Sequence, residues 1–105
     1  MKGYVATIPV SGPITVVECN GPVPLDILQR GVGGYIEVVP FFDKFSYEGT
    51  TYPAVAFCDE EGKLMGKPIN TQATHNWWDL VPVMNDVLVG NVVVVFGDKA
   101  FLAAL

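Results

Sequence analysis

Most of the chain reads as strands, because β-branched and aromatic residues alternate with polar ones or gather in short apolar blocks, and only two stretches keep helical spacing. Residues 4–10 and 14–19 are rich in β-branched side chains and are separated by Ser11, Gly12 and Pro13, which predicts a strand, a turn and a second strand. Pro24 suits the first turn of a helix. Leu25, Leu28 and Val32 follow at helical spacing, and Gly33 with Gly34 supplies the permissive backbone of a C-terminal cap. Its apolar stripe is expected to pack on a sheet.

From 35 to 42 the pattern is again a strand, with Tyr35, Glu37 and Val39 on one face and Ile36 and Val38 on the other, so Glu37 sits in apolar company. Residues 43–50 are expected to form a polar loop turning at Gly49, and 52–58 to return as a strand. Pro53, which has no amide hydrogen, places the start of that strand at an edge. Asp59, Glu60, Glu61 and Gly62 then turn into Lys63, Leu64 and Met65, which reads as a hairpin.

After Pro68, Asn70 or Thr71 suits a helix start, and Trp77, Leu80, Val81 and Met84 share one helical face. Pro82 should end the regular helix near Asp79 or Leu80. The nearly unbroken apolar run 87–96 is expected to be a central strand covered on both faces, with a bulge or tight turn at Gly90 and Asn91. Asp98 would cap a terminal turn carrying Phe101, Leu102 and Leu105, which docks on its own domain or on a partner chain. Residues 1–105 thus predict a single α+β domain, a mainly antiparallel sheet with two short helices.

Half of the 105 residues are hydrophobic, enough to offset ordering entropy by burial and to argue against disorder. No apolar run approaches the roughly 20 residues of a membrane span, and no basic start leads into an apolar stretch, so a cytoplasmic location is expected. The net charge of −5 and the scattering of six basic residues argue against binding to nucleic-acid phosphates. Two cysteines, Cys19 and Cys58, are expected to be reduced. With one histidine and no CxxC there is no metal-ligand set.

Candidate chemistry concentrates after Cys58. Lys67, Asn70, Thr71, Thr74, His75 and Trp77, joined by Glu37, carry the donors, hydroxyls and stacking surface that would surround a small anionic or nucleotide-like ligand, although capping by Asn70 and Thr71, with one Trp in the core and one on the surface, is the simpler account. The acidic turn lacks the alternating ligands of a calcium loop, and Gly31, Gly33 and Gly34 follow a helix instead of opening one, so no cofactor is expected. An enzyme would rest on His75 as general acid or base, with Glu37 or Asp79 as its partner. No complete catalytic set is present.

The segments GGYIEVVPF, DEEGKL (residues 59–64), Pro68, Asn70, Ala73 and Thr74, and DVLVG resemble a family of small phage and mobile-element domains of unknown function, over about 33–97. That resemblance implies a small accessory protein with no catalytic residues to carry across. The leading expectation is therefore a noncatalytic binding protein, which counters host defence by binding a host protein or by sequestering a small ligand. A host-protein partner would meet Phe41, Phe42, Tyr47 and Phe101. The alternatives are a small enzyme using His75 and a structural protein that forms a homo-oligomer through strand edges or its tail.

Overall fold

The computed structural model describes residues 2–105. Along the chain these form β1 (Gly3–Ile8), β2 (Thr15–Cys19), α1 (Leu25–Val32), β3 (Ile36–Val38), β4 (Lys44–Tyr47), β5 (Thr50–Asp59), α2 (Thr71–Leu80), β6 (Val92–Gly97) and α3 (Lys99–Ala103). All strand pairings are antiparallel, in the order β2, β1, β6, β5, β3, with β4 paired to the first part of β5. The fold is α+β, as expected, with a third short helix where a terminal turn was predicted.

The valine run explains the layering. Every residue of β6 is buried. Val92, Val94 and Phe96 enter a core shared with Ala6, Ile8 and Trp77, while Val93 and Val95 enter a second core with Leu28, Val32 and Phe101. Successive side chains in a strand face opposite ways, so a strand apolar at every position needs cover on both faces. Here α2 lies on one face and α1 with α3 on the other. The third helix begins at Asp98, whose Oδ1 accepts from the Phe101 amide at 2.7 Å. Its Phe101 ring lies over Gly3, where a Cβ would come within 2.1 Å of it.

Four expectations change at their boundaries. Residues 43–50 are no loop: Lys44–Tyr47 pairs with the start of β5, and Glu48 and Gly49, at φ 49° and 80°, make the two-residue turn. Phe45 and Tyr47 point inward while Lys44 and Ser46 point out, the alternation of a half-buried strand. The strand predicted over 35–42 shortens to Ile36–Val38, since after the Val39 amide bonds the Ala56 carbonyl at 2.9 Å the chain leaves through Pro40. Lys63, Leu64 and Met65 form no hairpin strand. They wind through turns closed by Met65 N to Glu61 O and Lys67 N to Gly62 O, both 3.0 Å. Finally, β6 starts only at Val92, because Gly90 turns the chain at φ 69° and Val89 forms an isolated bridge with Ile69.

Pro53 lies inside β5, just before Ala54, where pairing with β6 begins. Its missing amide hydrogen therefore interrupts no β6 bond. Among the described residues no helix is long and apolar enough to cross a membrane.

Candidate functional site

Four of the seven predicted ligand residues are bonded within the scaffold. Lys67 Nζ stands 2.6 Å from Asp59 Oδ2 and donates to the carbonyls of Val32 and Gly33 at 3.1 and 3.3 Å, so its cation sits at the C-terminal end of α1. Asp59 also accepts the Glu61 amide through Oδ1 at 2.9 Å. The bond from Lys67, then the one from the Glu61 amide, hold its carboxyl below the usual carboxylate range. Gly34 must be glycine at this point, since a Cβ there would lie 2.7 Å from both carboxylate oxygens.

Asn70 is fully buried and satisfied on every side. Its Nδ2 donates to Ile8 O and Gly90 O at 2.9 Å each, and its Oδ1 caps α2 through the Ala73 amide at 3.0 Å. Thr74 Oγ1 accepts from Leu88 N at 3.0 Å, and Trp77 Nε1 donates to Pro40 O at 2.8 Å. These bonds fasten α2 to the loops beside β6. Thr71 and His75 are exposed on α2, away from the cleft described below. The His75 ring lies 5.8 Å from that of Trp78, and among the described residues it bonds neither Asp79 nor Glu37.

The predicted interface set also divides. Phe42 and Phe101 are 2% and 1% exposed, inside the two cores, and Tyr47 packs half-buried against Tyr4 and Phe96, so these three rings are scaffold. Phe41 alone of the four is open, at 71% exposure, and its backbone is left-handed at φ 63°.

Glu37 and Trp77 do meet, in a cleft of about 220 Å³ between β3, the end of β5, the turn carrying Lys63 and Leu64, and residues 86–89. Its wall includes the neighbouring Val38 and also Cys58, Glu60 and Asp86, which lie far from Glu37 along the chain and share no local pattern with it. Lys63 bonds Asp86, which also accepts the Val87 amide at 2.8 Å; Lys63 foremost lowers the pKa of that carboxyl. Glu37 and Glu60 have no such counter-ion among the described residues. Burial first, then the charges of Glu37 and Asp59, push the Cys58 thiol up to about 11, which keeps it protonated and poorly nucleophilic at neutral pH. A wider, flatter trough of about 520 Å³ lies beside Gln29, Gly33 and Tyr35, where the Asp26 and Arg30 charges already satisfy each other. Among the described residues no three His, Cys, Asp or Glu side chains are grouped to hold a metal ion.

Residues 1–102 match the family described as a domain of unknown function, DUF3846. The chain belongs to that family. The match extends beyond the 33–97 segment to the first hairpin, α1 and most of α3, so the DUF3846 domain takes in all six strands of the sheet. No curated protein and no solved structure matches the chain.

Proposed function

We propose that this DUF3846 domain is a noncatalytic binding protein whose cleft beside β3 receives a cationic side chain of a protein partner. The observation that carries the reading is the charge balance of the cleft: Lys63 is neutralised by Asp86, while Glu37 and Glu60 have no counter-ion among the described residues and stand beside the apolar lining of Trp77, Leu88 and Val89. Carboxylates over an apolar floor suit the stem and head of a lysine or arginine, which bury their methylenes and leave the charge at the rim. A small anionic ligand has less support, because the cation that would bind it, Lys67, is engaged by Asp59 and the end of α1. Catalysis by His75 has less support for a similar reason, as that ring lies outside the cleft and the only cysteine in it is held protonated. The resemblance to mobile-element domains supports a phage accessory role, in which the partner is a host protein.

Titration with the peptide acetyl-Val-Arg-Val-amide, followed by NMR at the Trp77 indole and the Cys58 amide, tests this. We expect saturable shifts that weaken with salt and vanish in the E37Q/E60Q double variant. Shifts absent from both groups, or unchanged in that variant, would overturn the reading.

A further inference from the structure

We infer that β3 is a docking edge, on which an extended basic segment of the protein partner adds as a further strand. This rests on the proposed capture of a cationic side chain and names how the rest of the partner is held.

Backbone geometry carries the first step. The Glu60 amide bonds Tyr35 O and the Val39 amide bonds Ala56 O, so in the register Glu37↔Cys58 the odd-numbered positions 35, 37 and 39 face β5. In an antiparallel ladder the residues between them turn their N–H and C=O groups the other way. Ile36 and Val38 therefore present their main-chain groups outward, and β3 is the last strand in the sheet order, so no strand among the described residues receives them. A row of free donors and acceptors on such an edge templates another strand.

Side chains carry the second step. Exposed edges are commonly blunted by lysine, proline or an inward charge. β3 carries no lysine or proline, its one charge is the exposed Glu37, and Pro40 lies beyond the positions that face β5. Exposed Tyr35, Val38 and Phe41 line it, with Leu64 nearby at 89% exposure. Phe41 adds a cost that packing inside the chain does not explain, since an L-residue with a bulky side chain rarely adopts φ 63° and its ring is left in solvent. A ring held out by a strained backbone beside a free edge is placed to anchor a partner.

Charge selects the occupant. A second copy of this chain adding to β3 about a two-fold axis through its centre would bring the two Glu37 side chains together, and in any register it joins two chains of net charge −5, which is unfavourable. A segment with lysine or arginine at alternate positions instead meets Glu37 and Glu60 while its main chain pairs with Ile36 and Val38.

The test uses an eight-residue peptide of alternating lysine and valine, together with two versions of it whose backbone nitrogens are methylated at one or the other alternate set. Methylation keeps the charge and side chains but removes the strand's donors on one edge. We expect the plain peptide to shift the Ile36 and Val38 amides and slow their hydrogen exchange about tenfold or more, and one methylated version to bind at least about tenfold more weakly. E37K should weaken all three peptides. Equal binding of the three, with shifts at Trp77 but no protection of Ile36 and Val38, would overturn strand addition while leaving the cleft in place. Protection of those amides that rises with protein concentration alone would assign the edge to a second copy and overturn it too. No binding by any peptide would overturn both readings.

Discussion

The Lys67 ammonium lies 2.6 Å from a carboxylate oxygen of Asp59, whose side chain is 3% exposed, and the same nitrogen bonds the last carbonyls of α1. One side chain thus ties a helix end, the end of β5 and the turn after it. Replacing it by methionine keeps the apolar stem but leaves Asp59 without its cation and two carbonyls without a donor. We expect K67M to lose about 2–3 kcal/mol in urea unfolding, with an unchanged sheet signal by circular dichroism. A loss below about 0.5 kcal/mol would mean that water replaces the ammonium.

The same pair sets an acid dependence. Because the folded Asp59 carboxyl is held below its ordinary value, its contribution is complete above the unfolded pKa of about 3.9 and is lost as pH falls through the lower folded value. Wild-type stability should therefore drop steeply below about pH 4, and the D59N variant, weaker at pH 7, should show a shallower drop. Parallel curves for the two proteins would assign the acid sensitivity elsewhere.

Cys58 gives a test in the alkaline direction. In a C19S background, carbamidomethylation by iodoacetamide should stay slow through pH 9 and accelerate only as pH approaches the thiol's value of about 11. Rapid labelling at pH 8 would show that the thiol is far more open than its burial beside Glu37 implies.

The terminal helix distinguishes packing within the chain from self-association. Phe101 is buried against Gly3, Gly97 and the outer faces of Val93 and Val95, so F101A should cost about 3–5 kcal/mol without changing the native mass. A variant of undiminished stability whose mass falls to that of a smaller assembly would make the tail an interface.

These residues also show where the sequence was informative. The run from Val92 to Phe96 announced a doubly covered strand because nothing polar interrupts it, and Gly33 announced its left-handed cap, seen at φ 78°, because few residues other than glycine adopt one. The β4–β5 hairpin stayed hidden behind its turn: Glu48 occupies a position where asparagine is usual, although the inward rings of Phe45 and Tyr47 carried the period of two. For the site, polar composition around Lys67 and Asn70 pointed to a ligand, yet a dense polar segment bonds its own backbone when the fold folds back on it. Asn70 reaches Ile8, 62 positions earlier, a contact that no local pattern encodes. The cleft is non-local for the same reason, since its walls bring together Glu37 and Asp86 from distant parts of the chain.

Phe41 separates stability from function most sharply. Glycine at that position relieves the left-handed strain and removes a ring that is already in solvent, so F41G should fold with stability equal to wild type or up to about 1 kcal/mol above it, whereas F42A, one residue on, should lose about 3–5 kcal/mol from the core. If the ring anchors the partner, F41G should nonetheless bind the alternating lysine and valine peptide at least about fivefold more weakly than wild type. Calorimetric unfolding and peptide titration of the same two variants read both effects. A stable F41G with unchanged affinity would leave the strained ring without a part in binding, and strand addition would then rest on the edge amides alone.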